Sequence, residues 1–378
     1  MATKITELKE EDGIMTFTIF NIDICYINAI RRTILSDIPI IVFKTTPYEE
    51  NKANIITNTS RLNNEIVKQR LSCIPICIKN LEEFLIKNYL LELDVENKTD
   101  TAIYVTTKDF KIKNITTDSY LDEGDLRKIF PSYVPPTGKG EYFVDFVKLR
   151  PKLSEELQGE RIKLTCALTL GTARQDSSFN VTGTCAYGCT PDETKIAEEL
   201  AKRKQKWADE GKSEANIAFE AANWKLLEGL RYVKRNNFDY ILQTVGIYEN
   251  TEIIIKSCQI LMDKFVELKQ VLDKDQIEIQ PSDSTMDTSY DVILENEDYT
   301  VGNILNFELY DTYYRDFKKL TYVGFKKMHP HDSHSILRMA FTEPTAGKDT
   351  VRQMLAAVFE TAFKEISHIK GLFDGGRK

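Results

Sequence analysis

The chain has 378 residues, 42% of them hydrophobic and 29% charged, with 11 prolines, 17 glycines and a formal net charge of −8. That length allows two or three domains with ample core. The acidic balance argues against a protein that holds nucleic acid mainly through its own phosphate contacts, and for protein partners.

The polar, mixed-charge residues from Met1 to Glu11 carry no secretory signal. Ile14 to Phe20 then alternate, with Met15, Phe17 and Ile19 on one side and Thr16 and Thr18 on the other, which predicts a half-buried strand. From Asp23 the period turns helical: Ile24, Ile27, Ile34, Leu35 and Ile38 gather on one side, with Asp23 as a cap and Pro39 as a stop. The densest apolar run, Ile38 to Phe43, is far too short to cross a bilayer. A short helix is predicted over 61–71, leading into Ile74-Pro75-Ile76.

Between Leu91 and Thr184 the signals are mostly β, over 91–95, 102–106, 142–147 and 162–170, and the stretch reads as an inserted domain. Residues 191–235 are charged, Ala-rich and helical, broken near Gly211, and a strand is predicted at 238–245. Next, Ile254, Cys258, Leu261, Phe265, Leu268 and Leu272 recur at steps of four and three. Such a narrow seam suits packing against another helix, and equally an ordinary core helix. Residues 280–289, rich in Ser, Asp and Thr, read as a flexible linker. After it are predicted a strand at 290–294, a helix over 300–314, and strands at 320–325 and 336–341. A final helix carries Val351, Leu355, Val358, Ala362, Ile366 and Ile369 on one side.

The order of elements after the linker repeats that of the N-terminus, and a short match accompanies it. Asn28 aligns with Asn303, Ile30 with Leu305 and Ile34 with Leu309. The run Asn28-Ala29-Ile30-Arg31-Arg32-Thr33-Ile34-Leu35-Ser36-Asp37-Ile38-Pro39 resembles the signature helix of α-type subunits of multisubunit DNA-directed RNA polymerase, in particular the larger partner of the eukaryotic and archaeal α-like pair. Residues 64–76, 146–150 and 238–246 resemble further landmarks of that larger partner. Residues 297–305 and 322–330 resemble the smaller partner. The resemblance runs through nearly the whole chain in the family's order, although 195–223 has no clear counterpart and Phe179 stands where larger partners often carry tryptophan.

The resemblance implies an α+β protein in which both partners are fused, an arrangement similar to that of large cytoplasmic DNA viruses. The expected organisation is a first dimerisation half at 1–80 and 191–273, a β-rich insertion at 81–190, a linker at 274–289 and a second, smaller-partner-like half at 290–378. It further implies a non-catalytic assembly subunit that docks the second-largest and largest polymerase subunits and meets small ones. Such a subunit reaches DNA and RNA only through the complex, is not a homodimer, and touches no membrane. The expected location is intracellular, in the cytoplasm of an infected cell and in the virion if the source is viral.

On a helical wheel Arg31 falls inside the apolar arc and Arg32 just beyond it. A guanidinium on an apolar face snorkels to water, pairs within the chain, or meets a partner. In the family the matching arginines contact the second-largest subunit, which implies that role for Arg32 and, with it, Arg31 and Asn28. Ile27, Ile34, Gly302, Asn303, Leu305 and Leu309 are implied at the contact between halves; Gly302 equally permits close packing alone.

Seven cysteines, an odd number scattered through a long chain, suit a reducing compartment. Cys73-x3-Cys77 and Cys185-x3-Cys189 invite a zinc hypothesis, but knuckles more often use two intervening residues, and Cys73 and Cys77 are equally small core residues. No cofactor is expected. The rival reading, a freestanding zinc- or redox-active regulatory protein, rests on these cysteines. His329, His331 and His334 read as a turn between two strands. No nucleophile–base pair or paired-carboxylate motif stands out, and the chain alone is not expected to be an enzyme.

Overall fold

The computed structural model describes residues 3–81, 84–152, 154 and 158–375. Strands β1 (Lys4–Glu11) and β2 (Ile14–Phe20) lead into helix α1 (Ile24–Ser36). Then follow β3 (Ile40–Val42), β4 (Ala53–Asn58), α2 (Asn64–Ser72), β5 (Tyr89–Glu96), β6 (Ile103–Thr106), β7 (Lys111–Asn114) and β8 (Ser119–Tyr120). Helix α3 (Glu123–Ile129) precedes β9 (Asp145–Leu149), β10 (Arg161–Ala167) and β11 (Thr169–Gly171). Strands β12 (Thr182–Pro191) and β13 (Val233–Thr244) flank α4 (Glu193–Asp209) and α5 (Glu214–Leu226), and α6 (Asn250–Asp273) comes next. The remainder is β14 (Glu278–Pro281), β15 (Ser289–Glu295), α7 (Tyr299–Leu309), β16 (Leu320–Lys326), β17 (His334–Phe341) and α8 (Lys348–Asp374).

The chain folds as two compact units. One gathers Met1–Thr33, Thr184–Gln243 and Ile254–Lys378; the other gathers Ile34–Gly183 and Thr244–Ile253.

The first unit contains two four-stranded sheets built to one plan. Their strand orders are β1-β2-β13-β12 and β14-β15-β17-β16. In each, two strands, a helix, two further strands and a long helix come in that order, the first copy carrying α4 and α5 between its last two strands, and the fourth strand returns antiparallel beside the second. Met15, Phe17 and Ile19 point into the core, with Phe17 stacked on Tyr240 at 5.0 Å and edge-on to Phe373 of α8 at 5.2 Å. Thr18, on the other face of β2, donates to the carboxylate of Asp239 on the neighbouring strand at 2.8 Å. Every apolar residue of the seam read at 254–272 is buried, as is every one read at 351–369. Helices α6 and α8 come together where the ring of Phe265, in the first seam, lies 6.3 Å from that of Phe359, a further buried residue of α8. Each such large side chain removed from water contributes roughly 1.5–3 kcal/mol.

The second unit has a five-stranded sheet, β4-β10-β5-β7-β8, and the two-stranded pairs β3–β11 and β6–β9. Its core centres on Phe43, Phe110, Phe130 and Phe146, with Phe110 edge-on to both Phe130 and Phe146 at 5.5 Å.

The expected boundaries differ from these units in four places, one of them Thr244–Ile253, assigned to the first half and found in the second unit. Residues 34–80, assigned to the first half, belong to the second unit, because β3 pairs with β11 and β4 with β10. Residues 184–190, assigned to the insertion, belong to the first unit, since β12 joins the sheet of β1, β2 and β13. The linker expected at 274–289 is in part a hairpin: β14 pairs antiparallel with β15, with Ile277 and Ile279 buried. The predicted helix over 300–314 also stops being α-helical at Leu309 and continues as a π-helix over Tyr310–Asp316. Among the described residues no helix is long and apolar enough to cross a membrane.

Candidate subunit interface

The matching helices α1 and α7 begin alike. The Asp23 carboxylate accepts from the amide of Cys25 at 2.9 Å, and that of Asp298 accepts from the amide of Thr300 at 2.7 Å. Either bond satisfies an amide that the first helical turn leaves unpaired. The spacing that separates Asn28 from Asn303 also separates Asp23 from Asp298, so the match extends to the caps.

The two helices meet antiparallel. Near the end of α1, Arg32 donates from Nε to Thr300 Oγ1 at 2.7 Å and from Nη2 to Asp298 Oδ2 at 2.9 Å. Near its start, the Tyr26 hydroxyl donates to Glu308 Oε1 at 2.6 Å, and the Tyr26 ring lies edge-on to Phe307 at 6.5 Å. Phe307 occupies the position in α7 that Arg32 occupies in α1, so the matching positions carry a cation in one helix and an aromatic ring in the other.

Burial pushes the Asp298 carboxyl upward, but hydrogen bonds from Thr300 and the Arg32 charge outweigh it and hold the group below the ordinary carboxylate range. Glu308 goes the other way: burial raises it, although the Tyr26 hydroxyl favours the ionised form. Burial, followed by the Glu308 charge, pushes the Tyr26 phenol upward and keeps it a donor.

Of the residues implied to touch another subunit, Asn28 and Arg31 are half-exposed and bonded to each other. Arg31 donates from Nε and Nη2 to Asn28 Oδ1 at 3.2 and 3.0 Å. They lie on one stripe with the exposed Ile24 and the half-buried Leu35. The wheel had put Ile24, Leu35 and Arg31 on the buried arc; the buried side of α1 instead carries Cys25, Tyr26, Ile27, Ala29, Ile30, Thr33 and Ile34. Arg32 is not part of that stripe, and its guanidinium bonds to the start of α7.

Of the residues implied between the halves, Ile27, Ile34, Leu305 and Leu309 are buried and Asn303 is half-buried. The close approach at Gly302 is to Phe325 of β16: a Cβ there would lie 2.2 Å from the ring. That glycine therefore serves packing between α7 and its own sheet. Tyr26, Glu308, Asp298 and Thr300 were missed by the sequence reading, and the repeated Asp23/Asp298 spacing is the signal that marks the caps.

Cys73 ends α2 and is exposed, not core, while Cys77 is half-buried. Cys185 is buried with its Sγ 3.0 Å from the Tyr240 hydroxyl, burial pushing its thiol up to about 11, and Cys189 is exposed. The first two belong to the second unit and the last two to the first. Among the described residues no group of three or more His, Cys, Asp or Glu is placed to hold a metal ion. His329 and His331 form the turn between β16 and β17, closed by the His329 amide donating to Asp332 at 2.9 Å.

No protein-family model matches the chain. It is similar to DNA-directed RNA polymerase II subunit rpb3 of Dictyostelium discoideum, 22% identical over 54% of this chain and 64% of that protein. It is similar to DNA-directed RNA polymerases I and III subunit RPAC1 of Saccharomyces cerevisiae, 24% identical over 67% of this chain and 82% of that protein. It is also similar to DNA-directed RNA polymerase subunit Rpo3 of Thermoplasma volcanium, 27% identical over 54% of this chain and 71% of that protein. The matched part thus spans just under two thirds of the Dictyostelium subunit. The relatives of this α+β chain are, at low identity, α-like subunits of DNA-directed RNA polymerases.

Proposed function

We propose that the chain is a non-catalytic assembly platform of a DNA-directed RNA polymerase, with both members of an α-like pair fused into an intramolecular pseudo-dimer. The observation that carries this is the twice-repeated plan of the first unit, with its matching helices packed antiparallel through Arg32–Asp298 and Tyr26–Glu308. A symmetric pair brings equivalent helices together in this way. The first half comprises the elements from β1 to α6, the second those from β14 to α8, and the second unit is the domain inserted into the first half.

In this role the half-exposed Asn28–Arg31 stripe of α1 is the surface for the second-largest subunit, and the largest follows. Arg32 contributes by fixing α1 against α7. Covalent fusion replaces a bimolecular association by an intramolecular one. The chain works as a monomer within the complex, inside the cell; for a viral source that means the infected cytoplasm and the virion.

A tagged full-length copy purified from its native source tests the role. The expected result is two very large polymerase subunits and several small ones in stoichiometric amount, with no RNA synthesis by the isolated chain. Template-directed synthesis by the chain alone, or its recovery without large partners, overturns the assignment.

A further inference from the structure

A concavity of about 450 Å³ opens in the second unit beside the β6–β9 pair and the start of α2. Leu62, Val147 and the ring of Tyr104, which is 56% exposed, give it an apolar wall. Its lining also holds four cations, Arg61, Arg70, Lys148 and Arg150, against two carboxylates, Asp145 and Glu160.

Arg150 and Glu160 form an ion pair, which leaves three cations facing one acid. Arg70 is anchored without being neutralised: it donates from Nε to the main-chain carbonyl of Phe146 at 2.6 Å and from Nη2 to that of Asp145 at 3.0 Å. Lys148 lies over the Tyr104 ring with its ammonium 5.2 Å from the centroid, a contact that leaves its charge intact. Arg61, in the loop before α2, pairs with no carboxylate among the described residues. A concentration of unneutralised positive charge on an apolar hollow stands out in a chain of net charge −8.

We propose that this concavity docks an acidic–apolar peptide segment of a partner protein. The segment places an aliphatic or aromatic side chain against Tyr104 and Leu62 and its carboxylates beside Arg61, Arg70 and Lys148. The two main-chain bonds of Arg70 order that side chain in advance, so its recruitment costs little entropy. A nucleic-acid strand fits less well, because the cations are confined to one hollow and the Asp145 carboxylate in its wall repels a continuous phosphate backbone. The site goes beyond the assembly role and stands if that role fails.

Fluorescence anisotropy of the full-length protein with a short labelled peptide alternating glutamate with leucine and phenylalanine tests this. Saturable binding is expected, weakened about tenfold or more by Arg61→Glu and by Lys148→Glu, and weakened by the uncharged Tyr104→Ser. All three residues are exposed, so cooperative melting of each variant is expected to persist. The same peptide with lysine for glutamate is expected not to bind. Absence of saturable binding, unchanged affinity in the charge-reversed variants, or displacement of the peptide by single-stranded RNA of equal charge overturns the proposal.

Discussion

Arg32 of α1 donates to Asp298 at 2.9 Å, and the same carboxylate starts α7 by accepting the Thr300 amide at 2.7 Å. Losing Asp298 therefore removes a helix cap and an ion-pair partner together, whereas losing Arg32 removes the pair and the Nε bond to Thr300 but leaves the cap in place. Arg32 is 37% exposed as a side chain, which screens the ionic part to about 1 kcal/mol or less. Asp298→Ala is expected to destabilise the protein by about 1–3 kcal/mol, more than Arg32→Ala, in urea unfolding at neutral pH. Because the carboxyl is held low in the folded state, its contribution is whole above about pH 4 and is lost as pH falls through the lowered value. The variant is expected to lack that segment of the acid profile.

Tyr26 and Glu308 predict the opposite dependence. Burial raises the Glu308 carboxyl, so the folded state binds its proton more tightly than the unfolded one and stability falls as pH rises through the raised value. The Tyr26 hydroxyl favours the ionised carboxylate. Tyr26→Phe leaves that carboxylate without this donor and is expected to cost roughly 1–3 kcal/mol near neutral pH. The cost should shrink below the ordinary carboxylate range, where Glu308 is protonated. An equal cost at both pH values would show that this bond does not stabilise the charged form.

Gly302 leaves no room for a methyl group, since a Cβ would lie 2.2 Å from the Phe325 ring. Gly302→Ala is expected to cost about 1–3 kcal/mol through overpacking, read from the urea midpoint. The double variant with Phe325→Leu should recover part of the loss. A single variant as stable as the parent would mean that α7 and β16 move apart without penalty.

Separating the repeats should depend on where the chain is cut. A break at 274–276 leaves β14 with the second sheet; a break within 283–287 leaves β14 on the first fragment although it pairs with β15. On co-expression both pairs of fragments are expected to associate, and only the first cut should give a C-terminal fragment soluble by itself. Sedimentation of the intact chain is expected to give a monomer. Leu309→Asp, at a fully buried position, should abolish association by burying an unpaired carboxylate.

The helical seams from Ile254 to Leu272 and from Val351 to Ile369 were legible because burial on one side of a helix imposes its own period. The pairing of β4 with β10 was not legible, because register across a long separation leaves no local mark on either strand. The wheel for α1 failed for a different reason. Ile24 and Leu35 are apolar yet lie on its exposed or half-exposed stripe, so the arc drawn through them turned the helix toward the wrong side. Arg32 looked like a surface residue since its acceptors stand on α7, far along the chain.

Between their third and fourth strands the two repeats differ in kind. From β12 to β13 the first passes through α4 and α5, while from β16 to β17 the second makes only the turn that holds His329 and His331. Both sheets keep the same strand order despite that difference. A connection that accommodates two helices in one copy identifies, in the other, a place where extra polypeptide leaves the register of the flanking strands alone. Residues 327–333 are accordingly the position at which to install a fluorophore, an epitope or a photo-cross-linker, giving a handle inside the folded chain rather than at either end.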